Sequence, residues 1–171
     1  MFKGTYRHRI DPKGRIPVPA GFRRALLADA GARLVVTLLD QCLAVYPPHE
    51  WEELERQLRA LPAFSKPVKA LTRLLASRAA ECELDVQGRI LLPSVLREAA
   101  HLAQEAVVVG VLNRFEIWAP EAWSGFLDES ERLLDDASFD VRWPPPPAAL
   151  RPAAPAGDPA RPRRPQGKPS R

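Results

Sequence analysis

An aspartate, a glycine and an arginine recur at one spacing in two places. Ile10-Asp11-Pro12-Lys13-Gly14-Arg15-Ile16-Pro17-Val18-Pro19 returns as Leu84-Asp85-Val86-Gln87-Gly88-Arg89-Ile90-Leu91-Leu92-Pro93, and Arg23 and Arg97 follow at the same offset. Asp with Gly three residues later is turn chemistry. The carboxylate accepts hydrogen bonds from the next backbone N–H groups, and Gly takes the left-handed conformation at little cost. Asp11 with Gly14, and Asp85 with Gly88, are therefore expected to brace two tight turns. The Asp and Arg four apart allow two readings. The arginine folds back on its own aspartate, or a rigid loop presents it to an anion. The two are compatible, because a braced loop aims its guanidinium better.

Other chemistry is poorly supported. There is no Gly-rich phosphate loop and no GxSxG nucleophile motif. Glu81, Glu83 and Asp85 alternate along one strand and share a face. A paired-acid site is conceivable there, but a solvated or interfacial strand is the favoured reading. Cys42 and Cys82 lack CxxC or Cys/His ligand spacing, and His8, His49 and His101 are scattered. Two buried thiols are expected rather than a disulfide, with no metal, cofactor or small-molecule substrate. The chain is not expected to be an enzyme.

Charge separates the two copies. Residues 1–24 hold Lys3, Arg7, Arg9, Lys13, Arg15, Arg23 and Arg24 against Asp11 alone. In the second copy Glu81 stands where Arg7 does, Glu83 where Arg9 does, Gln87 where Lys13 does and Glu98 where Arg24 does. Positive charge gathered around one rigid turn is the pattern of a polyanion-binding face. Arg15 is the leading candidate for contact with nucleic acid. Arg7, Arg9, Lys13, Arg23 and Arg24 surround it, and Arg89 is its equivalent in the second copy. The acidic Glu81/Glu83 face is a candidate interface that meets a neighbouring subunit head to tail.

The elements that position these residues follow from periodicity. Each copy reads as strand, turn, strand and short helix. Thr5–Ile10 alternates, with Lys3, Thr5, Arg7 and Arg9 on one face and Tyr6, His8 and Ile10 on the other. His8 is expected to pack on the core side. Pro19 suits a helix start, Phe22 and Leu26 give that helix an apolar face, and Gly31 is a stop signal. Leu34–Leu39 and Cys42–Tyr46 read as a hairpin around Asp40-Gln41. Trp51, Leu54, Leu58 and Leu61 repeat at helical spacing, and a second helix is predicted over 66–77. Glu105–Val111 and Phe115–Trp118 form a second hairpin, and a helix opens at Ala119-Pro120 and runs to about residue 136.

The predicted organisation is a first module at 5–47, linker helices at 48–76, a second module at 77–120 and a C-terminal helix at 121–140. In the last stretch, 144–171, ten residues are Pro, and six basic residues face Asp158 alone. Such a composition cannot bury a core, so an extended, disordered tail is expected. The chain has no apolar run of about 18 residues, so no membrane span is predicted, and its N-terminus shows no signal peptide.

The sequence resembles the MraZ family of bacterial transcriptional regulators, built from two tandem AbrB-like (SpoVT-AbrB) modules. The likeness rests on Met1-Phe2-x-Gly4, on both Asp-x-x-x-Arg stretches with Ile-x-x-Pro behind them, on Cys42-Leu43-x-x-Tyr46-Pro47-x-x-Glu50-Trp51, and on Glu81-Cys82-Glu83-Leu84-Asp85. It implies an α+β fold in which the two copies form an intramolecular swapped-hairpin β-barrel with flanking helices. It also implies a ring-like homo-oligomer in the cytoplasm, at the nucleoid, binding short direct repeats of double-stranded DNA in the promoter of its own division and cell-wall operon, as a repressor. The arginines of the Asp-x-x-x-Arg stretches are the family's DNA contacts, which carries over to Arg15 and Arg89. The acidic first strand of the second copy and the Pro/Arg-rich tail depart from the family pattern. A rival reading is a ring-forming interaction protein whose basic face binds acidic partners without specific DNA readout.

Overall fold

The computed structural model describes residues 1–29 and 33–135. In chain order the elements are β1 (Phe2–Arg9), β2 (Arg15–Pro17), α1 (Ala20–Asp29), β3 (Arg33–Leu39), β4 (Cys42–Tyr46), α2 (Pro48–Ala60), α3 (Lys66–Ser77), β5 (Ala80–Glu83), β6 (Arg89–Leu91), α4 (Ser94–Ala99), β7 (Glu105–Leu112), β8 (Arg114–Trp118) and α5 (Pro120–Asp135). The second copy repeats the first from β5 onward. Gly31 and the Pro/Arg-rich stretch lie outside the described residues.

The two copies exchange strands. The larger sheet is antiparallel and runs β1-β7-β8-β4-β3-β5, and β2 pairs with β6 in a separate ribbon. Thus β1 of the first copy pairs with β7 of the second, and β5 of the second pairs with β3 of the first. Each hairpin, β3–β4 and β7–β8, takes the other copy's leading strand as a neighbour, and β4 meets β8 at the centre. β1 lies against β2 and β5 against β6, which closes the strand order into a barrel. Two backbone bonds seal the ribbon to the turns of the opposite copy: Val18 N–H donates to the Gly88 carbonyl at 2.9 Å, and Leu92 N–H to the Gly14 carbonyl at 3.0 Å. The fold is α+β, with the swapped hairpins that the family resemblance implies.

The core explains these boundaries. β1 begins at Phe2, three residues ahead of the predicted start, because Phe2 is buried against Phe22 and Phe115, with ring centroids 5.2 and 5.4 Å away. Burying an aromatic of that size stabilises by roughly 1.5–3 kcal/mol, which draws the chain start into the sheet. Ile16 and Ile90 are register partners and both are fully buried, so the ribbon turns its opposite face outward. β4 is buried along its whole length, as a central strand covered on both sides must be. Pro48 opens α2, where its missing N–H leaves no partner wanting. Trp51 packs on Tyr46 at 5.8 Å, and Trp123 on Trp118 at 5.6 Å, so the helix after each hairpin docks in the same way.

Candidate nucleic-acid interface

Both turns are built alike, from the carboxylate outward. Asp11 Oδ1 accepts the backbone N–H of Lys13 and of Arg15, each at 2.9 Å, and Asp85 Oδ1 accepts those of Gln87 and Arg89 at the same distance. Gly14 N–H closes on the Asp11 carbonyl, and Gly88 N–H on that of Asp85, both at 2.8 Å. Gly14 stands at φ +86° and Gly88 at φ +73°, conformations that only glycine adopts freely. The hydrogen bonds hold both carboxyls below the usual aspartate range. The Arg15 backbone N–H is the main cause at Asp11, and the Arg89 side chain is the main cause at Asp85.

The two arginines end differently. Arg15 Nε donates to Asp11 Oδ2 at 2.7 Å, and its terminal nitrogens make no hydrogen bond among the described residues. Arg89 commits more of its guanidinium. Nε and Nη2 both donate to Asp85 Oδ2, at 2.8 and 2.7 Å, and Nη1 lies 3.7 Å from Asp11 Oδ2 in the other turn. The Arg15 side chain keeps 31% of its surface exposed and that of Arg89 23%. In the ribbon register Arg15 faces Leu91 and Pro17 faces Arg89, so both arginines stand on the outward face. A two-stranded ribbon of this kind is narrow enough for the major groove of B-form DNA.

The strand exchange redistributes the surrounding charge. Lys13 is exposed on the first turn, and Arg7 and Arg9 are exposed on β1. Arg9 lies 3.7 Å from Glu105 in a solvated pair that contributes little. Arg23 and Arg24 belong to the first copy by sequence, yet α1 runs beside the second turn, where Arg23, Arg24 and Leu27 share a recess with Val86 and Gly88. Arg23 Nη1 donates to the Gln87 carbonyl at 3.2 Å, and Arg24 remains exposed. The second turn, read from its own residues, had lost its basic surroundings. In space it recovers them from the opposite copy. Glu81 and Glu83 are exposed on β5, opposite Val35 and Arg33.

Two features escape a reading of the sequence alone. One is the reach of Arg89 to both aspartates. The other is Arg97, whose Nε donates to the Leu92 carbonyl at 3.2 Å and whose guanidinium lies on Gly14 of the first turn. The available signal was the arginine shared at positions 23 and 97 while the residues beside it inverted their charge.

The remaining candidates are quiet. His8 is half-buried, burial lowers its pKa, and its Nε2 is buried without a partner. Cys42 and Cys82 are free and buried. Burial, with Glu116 and Asp40 nearby, holds the Cys42 thiol protonated, and burial pushes that of Cys82 up to about 11. Among the described residues no group of three His, Cys, Asp or Glu could hold a metal ion, and no helix is long and apolar enough to cross a membrane.

Comparison with known proteins places this geometry in a family. The family model described as "MraZ protein, putative antitoxin-like" matches twice, over residues 1–74 and 75–140. A protein of Halothermothrix orenii named transcriptional regulator MraZ is 47% identical over 137 residues, which is 80% of this chain and 93% of that protein. Proteins of the same name from Desulforamulus reducens and Ligilactobacillus salivarius are 51% and 50% identical over 142 residues. Each alignment covers 82% of this chain, and 97% and 96% of the respective relative.

Proposed function

The chain belongs to the MraZ family, and from that premise we propose that it is a transcriptional regulator, without enzymatic activity, that binds double-stranded DNA by sequence. The observation that carries the reading is Arg15. Its Nε is pinned to Asp11, its terminal nitrogens are unbonded among the described residues, and it stands on the outward face of the ribbon. A guanidinium held that way can read a guanine edge through two parallel hydrogen bonds, worth about 1–3 kcal/mol of discrimination against a wrong base. Lys13 is exposed on the same turn, Arg7 and Arg9 are exposed on the adjoining β1, and Arg24 is exposed beside the second turn. All four suit phosphate oxygens, which set register and make affinity fall with salt. Arg89 is a lesser contact, since more of its guanidinium is engaged.

One ribbon spans few base pairs, so affinity per subunit is modest. Several subunits in a ring, meeting short direct repeats in the promoter of the chain's own operon, supply the remainder by avidity. Occupancy of a promoter in that way represses it, and the site of action is the cytoplasm, at the nucleoid. The deciding experiment is a mobility-shift assay with the chain's own upstream DNA and a scrambled duplex. The wild-type chain should choose the upstream DNA, and Arg15→Ala should lose that choice. A variant that still discriminates removes Arg15 from the role.

A further inference from the structure

We propose that Arg97 is a positioning residue for DNA reading, one that holds the first turn and so aims Arg15 from the opposite module; the inference rests on the function proposed above. The path is short. Arg97 Nε donates to the Leu92 carbonyl, and Leu92 N–H donates to the Gly14 carbonyl at 3.0 Å. The guanidinium covers Gly14 so closely that a Cβ there would stand 2.9 Å from Nε and 3.0 Å from Cζ and Nη2. Gly14 is tied to Asp11, and Asp11 holds both the backbone N–H and the Nε of Arg15. A group that fixes Gly14 therefore fixes the residue beside it.

The second turn has a related arrangement, in which the helix arginine bonds the turn directly rather than through the strand beside it. Arg23 lies against Gly88, with Cζ 2.9 Å from the place of a Cβ, and donates to the neighbouring Gln87 carbonyl. Val18 N–H donates to the Gly88 carbonyl there, as Leu92 N–H does to Gly14. Each helix arginine thus clamps the other module's turn.

This geometry accounts for what the second copy keeps and what it has lost. It keeps Asp85, Gly88, Arg89 and Arg97, and the last two touch the first turn. It has exchanged Arg7, Arg9, Lys13 and Arg24 for Glu81, Glu83, Gln87 and Glu98, all of which are exposed. The residues facing the partner turn persist, and the residues facing solvent have changed.

The competing role for Arg97 is an ordinary phosphate contact, and the two roles separate experimentally. The full chain is compared with Arg97→Lys and Arg97→Ala on its upstream DNA and on a scrambled duplex across a salt series, with hydrogen-exchange mass spectrometry over residues 11–16. A planar fork cannot be replaced by a point charge. Both variants should therefore exchange faster in the first turn and lose about tenfold in preference for the upstream DNA, with the salt slope unchanged, since phosphate contacts alone set that slope. If Lys restores full preference, or if the slope falls by about 0.9 while exchange stays at the wild-type rate, Arg97 is a phosphate contact and the clamp is wrong. Where Ala unfolds the chain, Lys decides. A wild-type chain that prefers neither duplex ends the DNA reading alone, and exchange in the first turn then decides the clamp by itself.

Discussion

Arg15 and Arg89 hold the same place in equivalent turns, yet of the two only Arg15 leaves its terminal nitrogens without a hydrogen bond among the described residues. The carboxylates behind them make the turns sensitive to acid. Asp11 and Asp85 have native pKa values below their ordinary 3.8. A carboxyl depressed in the folded state adds stability above its unfolded pKa and withdraws it as pH falls through the native value. Both turns should therefore be fully braced at neutral pH and loosen only below 3.8, and a carbon-detected carboxyl titration should place both midpoints under that value. His8 works in the same direction at milder pH. Its native pKa lies below the ordinary 6.5, so the unfolded chain takes up the proton first and stability declines as pH drops through 6.5. Between pH 7.5 and pH 5.5 the melting temperature of His8→Gln should fall less steeply than that of the wild type.

At the scale of elements, β1 and β7 approach each other closely where Gly4 faces Gly110. A Cβ on Gly110 would run into Lys3 N and the Phe2 carbonyl carbon and stand 2.7 Å from Lys3 Cα, all of them backbone atoms that cannot swing aside. Gly110→Ala should cost about 1–3 kcal/mol of stability, read as a lower denaturation midpoint in urea. The periodicity of the chain made most elements legible. Both hairpins and the helix over Lys66–Ser77 appear where their apolar spacing predicts them, whereas β1 does not alternate in burial: Tyr6, expected on the core face, is exposed, and His8 is only half-buried. Periodicity did not say which strand pairs with which. Two copies of one pattern offer each β-strand two partners of the same shape, so the exchange came from the family resemblance and not from spacing. The clamps were hidden for a related reason. Arg23 and Arg97 read locally as two more basic residues on short helices, because their targets, Gly88 and Gly14, lie in the other copy.

At the scale of the molecule, the exposed surface bears on assembly. Phe64, Leu71 and Leu74 near and on α3, and Phe126, Leu127 and Leu133 on α5, are large apolar side chains open to solvent. Apolar side chains exposed together in this way are candidates for an interaction face. If the Glu81/Glu83 face joins neighbouring subunits, Glu81→Lys/Glu83→Lys should lower the mass seen by light scattering. If the apolar faces join them instead, that mass stays unchanged and Leu71→Ser/Leu74→Ser lowers it. Within the single chain, the exchange of β1 and β5 binds the two halves of the gene to a common fate. Neither duplicate can be discarded by truncation, since each would leave with a wall of the other's barrel. The two copies can therefore differ in outer-surface charge, as they do at Glu81, Glu83, Gln87 and Glu98, while the shared sheet ties the shape of each to the other.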